Sequence, residues 1–96
     1  MARLVWKRSD DPAEDAPFEL GEVSLTIGRD PQCGIFIDAP LTSREHARID
    51  FRDGAHVLVD LGSTNFTRVN GERIGERILS AGDQIQISRA RCVYEA

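Results

Sequence analysis

Three short clusters in this 96-residue chain carry side chains suited to holding an anion: Gly28-Arg29, Ser43-Arg44-Glu45-His46 and Ser63-Thr64-Asn65. Arg29 directly follows an alternation of apolar and polar residues that ends in Ile27. A strand there would hold the guanidinium still, as a phosphate clamp requires. Ser43 and Arg44 precede a second alternation beginning at Ala47. They offer a hydroxyl, a guanidinium and loop N–H groups side by side, a combination that can wrap an anion. Thr64 and Asn65 follow Asp60-Leu61-Gly62, and an asparagine amide can donate to one backbone group while accepting from another. The first two clusters also have an ordinary reading. An arginine after a strand is commonly a solvated surface residue, and a serine before one is commonly a turn cap.

Other chemistries fit less well. Ser43, His46 and an aspartate imitate a hydrolase triad, but Ser43 lacks the glycine-flanked nucleophile turn, and a small domain leaves little room for a substrate pocket. No catalytic residue is expected and the chain is not read as an enzyme. Cys33, Cys92, His46 and His56 are potential metal ligands, yet no two stand at the short spacings of zinc sites, so neither a metal nor a cofactor is expected. Twelve basic against 16 acidic residues give a net charge of -4, and aromatics make up only 6% of the chain. That balance argues against nucleic acid and against an anionic membrane as partners, and makes any anion site a local one. Eleven of the 12 basic residues are arginine, whose planar fork suits bidentate contact with phosphate. No apolar run approaches the roughly 20 residues that span a bilayer. The cysteines are read as free thiols in a reducing cytoplasm.

The elements that must position these clusters are strands. Alternation is clearest at 23–27, 47–51 and 84–88, and further short strands are expected at 4–6, 18–20, 35–37, 57–59 and 92–94. Turn signals fall at Gly21-Glu22, Asp30-Pro31, Asp53-Gly54, Asn70-Gly71 and Gly82-Asp83; Asp-Gly and Asn-Gly are the strong hairpin dipeptides. No segment keeps a helical period. Residues 9–17 hold four carboxylates and two prolines with little to bury, and are expected to form a mobile acidic loop. The tetrapeptide at 71–74 recurs at 75–78, which is read as two short strand pieces. The whole chain, 1–96, is therefore expected to be a single all-β domain, a sandwich or small barrel.

Taken in order, Gly28-Arg29, Ser43-Arg44-Glu45-His46, Asp60-Leu61-Gly62-Ser63-Thr64-Asn65 and Asn70-Gly71 resemble the signature of the forkhead-associated (FHA) domain family, over about residues 23–87. The resemblance implies a two-sheet β-sandwich of about eleven mostly antiparallel strands, whose loops at one end bind a phosphothreonine peptide in extended form. By position it implies that Arg29 and Ser43 contact the phosphate and that Arg44 and Thr64 support them. Asn65 would hold the peptide backbone, while Gly28, His46, Asn70 and Gly71 would support the loops. It implies a role in Ser/Thr kinase signalling, the partner being a phosphorylated kinase substrate or an autophosphorylated kinase, with fusion to a larger signalling protein as an option. A phosphate-independent dimerisation or docking module on the same fold is the alternative. One position departs from the pattern: Phe66 stands where the family usually has glycine. A positive φ there would be resisted by a phenylalanine, and an exposed aromatic at a loop tip is also a candidate partner anchor.

Overall fold

The computed structural model describes residues 2–96. In chain order the strands are β1 (Arg3–Lys7), β2 (Ala16–Glu19), β3 (Leu25–Gly28), β4 (Ile35–Phe36), β5 (Ala47–Arg52), β6 (Ala55–Asp60), β7 (Thr67–Val69), β8 (Glu72–Arg73), β9 (Glu76–Ile78), β10 (Gln84–Ile87) and β11 (Ala90–Glu95). They form a six-stranded sheet ordered β2-β1-β11-β10-β7-β8 and a five-stranded sheet ordered β4-β3-β5-β6-β9. All pairs given a register are antiparallel except β3 with β4. The expected sandwich of eleven mostly antiparallel strands is the fold.

Alternation along the strands sends one set of side chains between the sheets. Leu4, Ile27, Ile49, Leu58, Val69, Ile85, Ile87 and Cys92 are almost wholly buried there. Each aliphatic side chain so buried contributes roughly 1.5–3 kcal/mol, which is what holds two narrow sheets together. The hairpin dipeptides behave as their chemistry requires. Asp53 and Gly54 have φ of 50° and 80°, and Asn70 and Gly71 have 53° and 85°, closing β5 onto β6 and β7 onto β8 in two-residue turns with positive φ at both central positions.

Strand ends differ from the sequence reading by up to two residues, and three differences are informative. Residues 9–17 are not a featureless acidic loop: Pro12–Glu14 form one 3-10 turn capped by the Asp11 side chain, and Ala16 and Pro17 already belong to β2. Pro17 fits because β2 is an edge strand, where a missing N–H breaks no ladder. β3 starts at Leu25 rather than at Val23, which is 61% exposed. Strand β7, three residues long, carries no expected counterpart; it lies directly between the Ser63-Thr64-Asn65 cluster and the Asn70-Gly71 turn.

Candidate functional site

β3 ends, β5 begins and β6 ends on the same side of the five-stranded sheet, as the pairing of Ile27 with Ala47 and of Ala47 with Asp60 requires. The loops that carry the three clusters therefore meet at one end of the sandwich. Gly28 shows why the first of them begins with glycine. A Cβ at that position would stand 2.1 Å from the Arg44 carbonyl oxygen, inside any tolerable contact, so only glycine lets the two segments lie this close. The Arg29 and Asp30 N–H groups then donate to the Ser43 and Arg44 carbonyls at 3.1 Å each. The exposed Arg29 side chain is steadied by Nε–H donating to the Thr42 carbonyl at 3.1 Å.

Ser43 is the hub. Its Oγ accepts from the Thr64 N–H at 3.3 Å, so the second and third clusters touch. His46 fixes the same junction from below. Wholly buried, its Nδ1 accepts from the Ser43 N–H at 3.1 Å, while Nε2 lies 2.9 Å from the Phe66 carbonyl oxygen. A carbonyl can only accept and a backbone N–H can only donate. The ring is accordingly held as the tautomer protonated on Nε2, and both nitrogens are committed to loop backbone.

Asp60 had no role assigned from the sequence, although it opens the third motif. Its carboxylate receives the Gly62 N–H at 3.1 Å, the Ser63 N–H at 3.2 Å, the Ser63 hydroxyl at 2.5 Å and the Thr67 hydroxyl at 2.8 Å. Burial pushes this carboxyl up, but the hydrogen bonds from Ser63, Thr67 and Gly62 outweigh it and hold it below its ordinary value. The β6–β7 loop is thus wound around one ionised oxygen pair, which presents Thr64 outward. An acidic residue followed by Gly, Ser and Thr is a recognisable signal for such an Asx-type loop.

The remaining sequence-derived residues divide. Asn65 lies in the cluster, with Nδ2–H donating to the Leu41 carbonyl at 2.8 Å, which ties two site loops together and leaves Oδ1 free of any hydrogen bond among the described residues. Arg44 is exposed and turned onto Asp30, at 3.2 Å; the Gln32 N–H, more than this guanidinium, holds the Asp30 carboxyl down. Asn70 and Gly71 are remote from the mouth. Asn70 bridges its turn to the neighbouring one, donating to Asp83 at 3.0 Å and accepting from the Gln84 N–H at 2.9 Å. Phe66 does adopt a positive φ, 62°. It is 36% exposed, and the Arg73 guanidinium lies 3.4 Å from its ring centroid, so one face of the ring is covered by a cation. Cys92 sits in the core, where burial pushes its thiol up to about 12, far from thiolate chemistry at neutral pH.

Known proteins share both the sequence and this architecture. The oxoglutarate dehydrogenase inhibitor of Corynebacterium diphtheriae is 42% identical over 91 residues, covering 95% of this chain and 62% of that protein. The glycogen accumulation regulator GarA of Mycobacterium tuberculosis is 37% identical over 93 residues, covering 97% of this chain and 56% of that protein. The chain therefore spans only about three fifths of the length of these relatives. Among solved structures, the FhaA FHA domain complexed with the intracellular domain of Rv3910 superimposes with a TM-score of 0.87 at 27% identity, covering 99% of this chain and 100% of that one. Mycobacterium tuberculosis EmbR in complex with a low affinity phosphopeptide gives a TM-score of 0.84 at 29% identity, covering 97% of this chain and 24% of that one. A model of the FHA domain matches residues 25–88, the stretch from β3 to the end of β10 that holds all the clusters, and the chain belongs to the FHA domain family.

Proposed function

We propose that this domain binds phosphothreonine in an extended segment of a partner protein, through Arg29, Ser43 and Thr64, as an adaptor in Ser/Thr kinase signalling in the cytoplasm. The observation that carries the reading is the junction of three separate loops at Ser43, where Arg29 N–H meets its carbonyl and Thr64 N–H meets its Oγ. A phosphate brings about -1.5 to -2 charges and three acceptor oxygens. The Ser43 hydroxyl and the Thr64 N–H, joined by a 3.3 Å bond, can both turn to it. The terminal nitrogens of Arg29 are in no ion pair among the described residues, so the guanidinium can meet it bidentately. Arg44 would join only by leaving Asp30, and Asn65 would offer Oδ1 to a peptide N–H.

The same geometry argues against catalysis. His46 contacts the Ser43 N–H, not its Oγ, and spends its other nitrogen on Phe66, so it cannot take a proton from the hydroxyl as a triad base must. The relatives named as an enzyme inhibitor and a metabolic regulator support a regulatory setting. Matched peptides bearing phosphothreonine, phosphoserine or threonine test the reading by fluorescence polarisation. Phosphothreonine should bind best and threonine hardly at all. Loss of the charge-assisted contacts in Arg29→Ala, roughly 1.5–3 kcal/mol, should weaken phosphothreonine binding at least about tenfold. Equal affinity for phosphorylated and unphosphorylated peptide would instead support the phosphate-independent docking module.

A further inference from the structure

Of the 12 basic residues, Arg3, Lys7, Arg44, Arg48, Arg52 and Arg77 are in ion pairs. Among the described residues Arg8, Arg29, Arg68, Arg73, Arg89 and Arg91 have none. Arg29 belongs to the binding mouth. Three of the others, Arg91, Arg68 and Arg73, lie on one line across the six-stranded sheet. Lys7 faces Arg91, Arg91 faces Gln86, Gln86 faces Arg68 and Arg68 faces Arg73. Directly opposed residues of antiparallel strands share a face, and their chain neighbours Cys92, Ile85, Ile87, Thr67 and Val69 are buried between the sheets. The line is therefore on the outer face. Like charges set directly opposite each other are unfavourable in a sheet, and this line has two such pairs.

Its surroundings are ordered. The next line on the same face, Pro17, Val5, Val93 and Gln84, carries no charge, and the one beyond it holds Glu19, Arg3 and Glu95, already paired with one another. Carboxylates thus lie at the far end of the face and, as Asp10 and Asp15, at the Lys7 end of the line, where they share a hollow with Arg91; the cations without an ion pair lie nearest the binding mouth. A hollow of about 230 Å³ lined in part by Lys7, Gln86, Arg91 and Val93 interrupts the face. The line also runs into the mouth: Arg73 covers Phe66, which follows Asn65 and whose carbonyl is held by His46. Ser88, beside the unpaired Arg89, donates to the Pro40 carbonyl in the loop that carries Ser43.

We infer that this outer face, along Arg91, Arg68 and Arg73, is a second docking surface that takes an acidic stretch of the same phosphorylated partner. The inference rests on the proposed phosphothreonine site for bringing that partner to this end of the sandwich. From Arg91 to Arg73 the line crosses four strands spaced about 4.8 Å apart, roughly 14 Å, the span of about four extended residues. A short acidic stretch fits it. A long polyanion or a flat anionic membrane would run into Asp10 and Asp15, which line a hollow with Lys7 and Arg91; Asp15 also neutralises Lys7 at 2.7 Å, in a domain of net charge -4.

The test is fluorescence polarisation with a neutral phosphothreonine peptide and with the same peptide joined through a glycine-serine linker to a glutamate tract, placed before it in one probe and after it in another. At low salt one tract-bearing peptide should bind about tenfold tighter than the neutral one, the gain of a tethered second contact. High salt should abolish that gain. Arg68→Gln combined with Arg91→Gln should abolish it too, leaving the neutral phosphopeptide unaffected. No gain from either tract, or a gain that survives in the double variant, overturns the inference. So does binding of a single-stranded oligonucleotide that the double variant loses while the tracts add nothing. If the neutral phosphopeptide fails to bind at all, the unphosphorylated tract peptide is titrated alone. Salt-sensitive binding lost in the double variant would then uphold the face while the phosphothreonine reading falls, and absence of binding would sink both.

Discussion

The two ends of the five-stranded sheet each contain one buried histidine, and the two are used in the same way for different ends. His46 joins the Ser43 N–H to the Phe66 carbonyl, two loops whose outer surfaces form the proposed binding mouth. His56 accepts from the Tyr94 hydroxyl at 2.9 Å on Nδ1 and donates to the Gly21 carbonyl at 3.0 Å from Nε2, and it stacks edge-on against Phe51 and Tyr94. That second histidine ties β11 to the β2–β3 connection and presents nothing outward. A neutral imidazole has one donor and one acceptor, so it can bridge two segments of the chain where an aliphatic residue would leave both partners unsatisfied. What distinguishes a site from a plain sheet end is therefore what the braced loops expose.

Replacing each histidine by alanine gives the largest effect and sharpens this contrast. Both His46→Ala and His56→Ala should lose about 3 kcal/mol in urea unfolding, since every orphaned buried partner costs roughly 1–3 kcal/mol. Only His46→Ala should also weaken phosphopeptide binding when measured where both variants are still folded. Equal weakening by both would erase the distinction between the ends.

Two glycines make a second contrast. Gly28→Ala drives a Cβ against the Arg44 carbonyl, whereas a Cβ on Gly21 meets nothing within 4 Å. Gly28→Ala should cost about 2 kcal/mol, in the range of overpacked sites, and loosen the mouth. Gly21→Ala should leave thermal unfolding nearly unchanged, because its φ is not in the left-handed region.

An acid-sensitive element lies between the ends. On the outer face of β5, Asp50 accepts from Arg48 and Arg52 at 2.7 Å each and from Ser24 at 2.8 Å. The Arg48 hydrogen bond first, and then Arg52 and Ser24 against the opposing effect of burial, bring its carboxyl from 3.8 down to about 2. A carboxyl lowered in the folded state stabilises it above its unfolded value and loses that contribution as the pH falls. The stability gap between the parent and Asp50→Asn should hold steady above pH 3.8 and close between 3.8 and about 2. Urea midpoints measured across that range would show it, and a gap that stays constant would remove Asp50 from the acid response.

Phe66→Gly should have the smallest effect. Relief of a left-handed phenylalanine, about 1 kcal/mol, and loss of the Arg73 contact, about 0.5–1 kcal/mol, nearly cancel in thermal unfolding. Short-phosphopeptide affinity should stay put. A loss seen only with a full-length partner would mark the uncovered face of Phe66 as an anchor.

Much of this was legible in the residues. Alternation marked β3, β5 and β10, and the dipeptides marked the Asp53-Gly54 and Asn70-Gly71 turns, since those depend on local periodicity and on φ. The motif order pointed to Arg29, Ser43 and His46. Strand β7 was not legible, because it lies between a binding cluster and a turn and is set by pairing with β10 and β8. The Asp60 network was missed since four donors converge on it only after the loop closes. His56 was weighed only as a metal ligand, its partners lying 35 and 38 residues away. The basic line needs the register of β11, β10 and β7 before Arg68 and Arg91 can be seen to share a face.

Backbone amide shifts during titration with a phosphothreonine peptide test the central claim most directly. Saturable changes are expected at Arg29, Ser43 and Thr64, with Gly21, Ala55 and Tyr94 unmoved, and no response to the unphosphorylated peptide. Shifts centred on the His56 end, or the same shifts with either peptide, would contradict it.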